Sequence, residues 1–401
     1  MNVLITDGEN RSALAVTRSL GRKGCCVFVA GRDYGNISAS SKYCRRAFAT
    51  PDPLSNGADY AHAITEIASR ESINVIFPMS EQSVYCLNRA RARLGPHVVL
   101  ACAPQEKMEA VSNKFTLFQV AEKLGVAIPE TLYVTDADDF MAKRAQISLF
   151  PVVVKPAFSK IEVGDKIIST GVMYAASLSE LDQLYQTRPA LRFPSLIQEL
   201  IVGVGTGLFT LYDHDHHLAL FSHRRLLEKP PSGGVSVLSE SILLDNKMVE
   251  AAGKLLSEVG WQGIAMVEFK RDIRDGKAKL MEINGRFWGS LQLAVSSGVD
   301  FPALCLDFYI GAQSASLSSE YQAGHRLKWF YGIVDHLLIR LKKGDSGLNL
   351  SSDAPTCWQV VRELVRLGDR NTSSDVYDPT DLLPMLTETK EYLMNCFHLR
   401  R

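Results

Sequence analysis

Met281-Glu282-Ile283-Asn284-Gly285-Arg286-Phe287-Trp288-Gly289 follows closely on Met266-Val267-Glu268-Phe269, and both segments carry the alternation of a β-strand. Each strand then holds one carboxylate, Glu268 or Glu282. On neighbouring antiparallel strands both reach one face of the sheet, because residues two apart share a face and opposite residues lie ~5 Å apart. Two adjacent carboxylates repel unless a cation sits between them. Magnesium suits the position, since it takes oxygen ligands and is typically held by one or two carboxylates plus nucleotide phosphates. Asn284, two residues beyond Glu282, offers a neutral carbonyl oxygen on the same side. Arg286, two further on, brings a permanent cation to where a transferring phosphoryl group develops charge. The bland reading of the same pattern is a solvated edge strand.

Working outward, Phe150-Pro151-Val152-Val153-Val154-Lys155-Pro156 is an apolar strand ending in a lysine, a costly place for a charge unless it meets an anion. Lys114 on the helix upstream supplies a second cation. Ser195-Leu196-Ile197-Gln198-Glu199-Leu200-Ile201 runs into Gly203-Val204-Gly205-Thr206-Gly207, a turn able to expose backbone groups to an adenine edge and leave room for a ribose. A β-bulge or hairpin entry explains the glycines equally well. His223-Arg224-Arg225-Leu226 leads into Pro230-Pro231-Ser232-Gly233-Gly234-Val235-Ser236. Asp213-His214-Asp215-His216-His217 has metal-ligating residue types, but consecutive residues on a short turn diverge, and a polar hairpin turn is the better reading.

The N-terminus reads as strand (Val3 to Thr6), helix (Ser12 to Arg22) and strand (Cys25 to Ala30). Asn74 to Pro78 and His97 to Cys102 continue the pattern, which predicts a parallel α/β layer. Its first turn, Asp7-Gly8-Glu9-Asn10-Arg11-Ser12, lacks the G-x-G-x-x-G of dinucleotide sites, so a supporting layer is favoured over NAD binding. A helix is expected over Ser112 to Leu124, stopped by Gly125 and Pro129. Beyond Phe150 come glycine-broken β-runs at Val152 to Lys155, Ser195 to Ile201, Leu208 to Tyr212, Leu218 to His223, Ile264 to Phe269 and Ala278 to Ile283. They predict a largely antiparallel sheet, with helices at about 178–187 and 246–259. Near the C-terminus, Leu327 to Leu341 and Cys357 to Leu367 read as helices around a Gly/Ser-rich stretch from Gly344 to Ser352. That segment holds no chemical constellation, and packing or homodimer formation is its expected role.

Lys plus Arg equal Asp plus Glu at 44 each, so no global field draws the protein to nucleic acid or an anionic membrane. A 46% hydrophobic and 22% charged composition excludes a disordered class. No apolar run approaches the ~20 residues that span a bilayer, and the N-terminus lacks the basic start of a signal peptide, so a cytoplasmic address is expected. The eight scattered cysteines form no C-x-x-C pair and are read as reduced, structural thiols.

In order and spacing, Lys114, Pro151-x-x-x-Lys155-Pro156, Gln198-Glu199-Leu200-Ile201, Glu268 and Glu282-x-Asn284-x-Arg286 resemble the ATP-grasp superfamily, and most of all its carboxylate-amine ligase and carbamoyl-phosphate-synthetase-like branch. Val3 to Leu20 and Phe77-Pro78-Met79-Ser80-Glu81 resemble that branch's N-terminal domain, so the likeness runs from residue 1 to about 310. The resemblance implies an α/β and α+β architecture: a Rossmann-like domain (1–105), the two α+β subdomains of an ATP-grasp fold (106–190 and 191–310) and a helical C-terminal extension (311–401). ATP would lie between the subdomains, with Lys114 and Lys155 on its phosphates, Gln198, Glu199, Leu200 and Ile201 on adenine, and Glu268, Glu282 and Asn284 holding magnesium. Arg286 and Arg225 are the implied catalytic cations.

The implied reaction activates a carboxylate as an acyl phosphate and joins it to an amine, both small molecules, releasing ADP and phosphate. Bicarbonate activation on the same fold and a nucleotide-binding regulatory protein without turnover are the alternatives. The chain departs from the family in two places. Where many members carry a ribose-binding Glu after the hinge it has Gly203, Gly205 and Gly207, and Ala157 to Gly171, with Lys160, Glu162, Asp165 and Lys166, is longer and more charged than a compact phosphate loop. Within it, Ser169 to Val172 are expected nearest the phosphates.

Overall fold

The computed structural model describes residues 1–163, 166–312, 320–348, 350, 354–366 and 369–398, without the side chains of 161–169, 397 and 398. Gly164, Asp165, Asn349, Ser351, Ser352 and Leu367, which fall in segments singled out above, lie outside the described residues. The first sheet is parallel, with strands β1 (Asn2–Ile5), β2 (Cys26–Gly31), β3 (Cys44–Ala49), β4 (Val75–Phe77) and β5 (Val99–Leu100) in the order β3-β2-β1-β4-β5. Val3, Leu4 and Ile5 are all buried, as a strand covered on both faces requires. Alternation sends Leu4, Phe28 and Ile76 into one apolar cluster and Val3, Ile5, Val27 and Phe77 into another.

The second sheet has the order β10-β7-β11-β6, all antiparallel, from β6 (Thr131–Val134), β7 (Val152–Pro156), β10 (Met173–Ala175) and β11 (Ser195–Glu199). Between β7 and β10 the chain makes a separate hairpin of β8 (Lys160–Val163) and β9 (Lys166–Ser169), which accounts for the length of that segment. Val152 and Val154 pack with Phe140, Tyr185 and Ile197 in a third cluster, so the intervening Val153 and Lys155 face the other way. The helix expected over Ser112 to Leu124 starts instead at Lys114, behind a separate helix Gln105–Ser112. The break has a local cause: Asn113 is a helix cap, its side-chain oxygen accepting from the N–H groups of Phe115 and Thr116.

The third sheet has seven strands: β12 (Gly203–Asp213), β13 (His216–Lys229), β14 (Val235–Ser241), β15 (Gly263–Asp272), β16 (Ala278–Asn284), β17 (Arg326–Lys328) and β18 (Thr372–Ser374). Their order is β16-β15-β12-β13-β14-β17-β18, antiparallel except for the last pair. Leu208 and Tyr212 join the apolar cluster of Leu4, and Phe209 and Leu211 join that of Val3, so the first and third sheets share both major cores. Arg326 to Lys328, partly read from sequence as the start of a helix, extend this sheet along β14, and the helix runs from Phe330 to Gly347.

The C-terminal segment returns to the first helix, Arg11–Arg22. Buried Arg18 donates Nε to Asp381 Oδ2 at 2.9 Å and Nη2 to the Val376 carbonyl at 2.9 Å. Asp381 also accepts from Ser41 Oγ at 2.7 Å and from Lys42 N–H at 2.9 Å. Burial alone would raise the Asp381 pKa, but these hydrogen bonds and Arg18 outweigh it and hold the carboxyl below its ordinary range. Because the folded value is depressed, the stability it contributes is present above the unfolded value of ~3.9 and is lost as pH falls through the folded one. Asp381→Ala leaves Arg18 buried without its counter-charge and is expected to lower unfolding free energy by roughly 3–5 kcal/mol at neutral pH. Denaturant titrations at pH 7 and pH 3 check this: the difference from wild type should shrink at the lower pH.

Candidate active site

A cleft of about 490 Å³ opens between the second and third sheets, within the size range of small-molecule sites. The structure brings to its walls every residue assigned above to nucleotide, metal or catalysis: Lys114, Lys155, Arg225 and Arg286; Glu268, Glu282 and Asn284; and Gln198 to Ile201. Strand register explains the grouping of the acids. Glu268 of β15 stands directly opposite Glu282 of β16, and on its other side β15 places Glu268 opposite Gly207 of β12.

Glu268 is ion-paired with Arg225 Nη2, whose Nη1 holds Glu228 at 3.0 Å. Glu282 lies 3.7 Å from Lys114 Nζ and accepts from Asn284 Nδ2 at 2.8 Å. Burial pushes Glu268 above the ordinary carboxylate range, Arg225 opposing and the neighbouring Glu282 adding to the rise. Glu282 is held below it: burial acts upward, but Lys114, the Asn284 hydrogen bond, Lys155 and Arg286 act together downward. One acid thus leans toward neutrality while the other stays ionised, burial and the neighbouring cations splitting the pair.

The donor set fits a hard cation, because all three candidate ligands are oxygen donors on one sheet face. Among the described residues no group of three or more His, Cys, Asp or Glu side chains is placed to hold a metal. A cation here would therefore take two protein carboxylates and complete its shell with the Asn284 amide oxygen, phosphate oxygens or water, the habit of magnesium rather than of zinc or calcium. Asp213 to His217 span the hairpin between β12 and β13, whose two turn residues, His214 and Asp215, have positive φ.

Lys155, only 8% exposed, has no carboxylate in hydrogen-bond reach among the described residues; its Nζ lies 3.9 Å from Met281 Sδ and over the Phe118 ring. Burial lowers its pKa to about 8, with Glu282 opposing and Lys114 reinforcing the fall. A buried ammonium facing a cleft is stabilised most by an anion entering that cleft. At the hinge, Gln198 Nε2 donates to Thr131 Oγ1 at 2.9 Å while its buried Oε1 has no hydrogen-bond partner among the described residues. The Glu199 carboxylate is taken up by Arg274 and Lys279 at 2.5 and 2.7 Å and by the Glu130 N–H. Its side chain therefore braces the hinge, and what Glu199 to Ile201 offer a ligand is backbone.

Several lining residues lay outside the set read from sequence. Lys270 sits two residues beyond Glu268 on the same face of β15, a spacing that could have flagged it. His223 is buried, its pKa pushed down to about 3 by burial and by Arg225, so it is neutral; its Nε2 meets Ser290 Oγ at 2.9 Å. Arg11 reaches the cleft beside Gly289, stacks on the Trp329 ring at 3.8 Å and pairs with buried Asp375. Of Ser169 to Val172, expected nearest the phosphates, Val172 lines the cleft.

Residues 224–332 match the family described as "ATP-grasp in the biosynthetic pathway with Ter operon". No curated protein matches the sequence significantly. Among solved structures the fold is similar to that of L-amino acid ligase from Bacillus licheniformis, at 18% identity over 77% of this chain and 74% of the other, with a TM-score of 0.58. It is also similar to a biotin carboxylase β-γ-ATP complex from Campylobacter jejuni (16% identity, 78% and 72% covered, TM-score 0.63). N5-carboxyaminoimidazole synthetase from Staphylococcus aureus is a third (13% identity, 79% and 78% covered, TM-score 0.61). The likeness of fold runs over most of the chain, and the segment that matches the ATP-grasp family model runs from Arg224 through both cleft carboxylates, so the chain has an ATP-grasp fold.

Proposed function

We propose that the protein is an ATP- and magnesium-dependent ligase that converts a carboxylate to an acyl phosphate and joins it to an amine, releasing ADP and phosphate. The register of Glu268 opposite Glu282, in a cleft whose walls also carry Lys114, Lys155, Arg225 and Arg286, supports this reading above all. Magnesium, when bound, neutralises the charge that the γ-phosphoryl group carries through transfer.

The chain's own residues do the rest by position. Lys114 and Lys155 hold the phosphates, Arg286 and Arg225 face the charge that develops on the migrating group, and the hinge backbone and Gln198 fix the base. Arg11, His223 and Ser290 line the part of the cleft around Gly289 and form the wall that the two organic substrates meet.

Release of phosphate and ADP across a matrix of carboxylic acids and amines tests the proposal. The expected result is stoichiometric ADP with one acid and amine pair; AMP and pyrophosphate as products would contradict it. Bicarbonate activation is the second reading, motivated by the likeness to a biotin carboxylase and to a carboxyaminoimidazole synthetase. Turnover that requires bicarbonate in place of an organic acid selects it. Adenine binding alone would not call for four cations and two acids in one cleft, which argues against a regulatory protein without turnover. A cytoplasmic address is in keeping with eight free thiols. Among the described residues no helix is long and apolar enough to cross a membrane.

A further inference from the structure

β12 carries glycine at three alternate positions, Gly203, Gly205 and Gly207, and Gly205 among them lines the cleft floor. Gly203 lies two residues beyond the hinge, and Gly207 stands opposite Glu268. At ~3.3 Å per residue these positions span about 13 Å, so Gly205 lies midway between the hinge end of the strand and Glu268. A nucleotide laid along this floor puts its sugar over Gly205.

A carboxylate occupies that level from the neighbouring strand. Glu228 of β13 has its Oε1 3.8 Å from where a Cβ on Gly205 would stand. Regular alternation from His223 and Arg225, both in the cleft, would send residue 227 to the cleft and 228 away from it. β13 instead has register shifts against β14 on either side of Leu227. Leu227 is buried with Ile333 and Val360, and Glu228 comes to the cleft wall. Bulges re-aim side chains in this way. Glu228 Oε1 accepts from Arg225 Nη1 at 3.0 Å, which fixes the carboxylate, while its Oε2 has no hydrogen-bond partner among the described residues.

We infer that Glu228 is the ribose-binding residue, its carboxylate accepting hydrogen bonds from the 2′- and 3′-hydroxyls of the nucleotide across the side-chain-free floor at Gly205. An ionised carboxylate has acceptors only, and a vicinal diol presents two donors at matching spacing. The inference rests on the nucleotide-binding part of the function proposed above. It moves sugar recognition from the strand that follows the hinge to the next strand over.

Calorimetric titration with ADP, 2′-deoxyADP and 3′-deoxyADP in the presence of Mg²⁺ tests it without knowledge of the other substrates. Wild type is expected to prefer ADP over each deoxy analogue by about 10- to 100-fold, the scale of a hydrogen bond to a charged group. Glu228→Gln should lose most of that preference by weakening ADP while leaving the deoxy analogues nearly unchanged. Equal weakening of all three nucleotides, or a preference that survives the substitution, overturns the inference and leaves the proposed function standing. No nucleotide binding by wild type overturns both. A rescue separates sugar recognition from general damage. A Cβ at Gly205 meets only ordinary contacts, 3.4 Å or more away, so Gly205→Glu on the Glu228→Gln background should restore a preference for ADP. A double variant that folds and binds ADP but stays unselective also overturns the inference.

Discussion

Glu282→Ala is expected to lower magnesium-dependent turnover by at least roughly 10²–10³-fold, the scale on which one electrostatic element is lost from a transition state. The reason is local. Glu282 is the acid of the facing pair that Lys114, Asn284, Lys155 and Arg286 keep ionised, so it supplies the dependable negative charge of the proposed metal position. Stability should change little, because its side chain is 36% exposed and its partner Lys114 lies 3.7 Å away, an ion pair worth ~1 kcal/mol or less. Initial rates of phosphate release as a function of Mg²⁺, beside a thermal melt, check both halves. Full ATPase activity in a folded variant would remove Glu282 from the metal site.

Lys155→Ala should act on binding, weakening ATP by about 10- to 100-fold. The ammonium is buried, has no carboxylate in hydrogen-bond reach among the described residues and has its pKa lowered to about 8 by burial, so an entering phosphate relieves an existing penalty. The same argument predicts that removing the charge does not destabilise the apo protein and can raise its melting temperature, since a desolvation cost is removed with it. Nucleotide titration of the variant is the check. An affinity equal to wild type would show that Lys155 does not meet the phosphates.

What the sequence made legible follows from charge placed against strand periodicity. Glu268, Glu282 and Asn284 share a face because their spacing is even and the pairing of β15 with β16 is in register, and Lys155 stood out as the one charge in a run of valines. Apolar runs such as Val3 to Ile5 and Ile264 to Phe269 announced their strands. β3 did not, because Cys44-Arg45-Arg46-Ala47-Phe48-Ala49 is a sheet edge whose exposed arginines break the pattern. β17 and β18, three residues each, are too short for any period to register. Asn113 divided an apparent helix by a cap that its polar neighbours concealed. Glu228 was invisible for a deeper reason: even spacing from Arg225 points away from it, and only the paired register of β13 and β14 reveals the bulge that brings it to the cleft. Arg11 depends likewise on Trp329 and Asp375, more than 300 residues away along the chain.

The proposed chemistry requires one divalent cation held jointly by Glu268 and Glu282 against the nucleotide phosphates. An anomalous difference map from a crystal grown with ADP and Mn²⁺ observes this directly. A single peak within about 2.0–2.3 Å of an oxygen of each carboxylate, bridging to the nucleotide, is the predicted result. Bound nucleotide whose phosphates are neutralised by Lys114 and Lys155 alone, with Glu268 still paired to Arg225 and no peak between the acids, would contradict it.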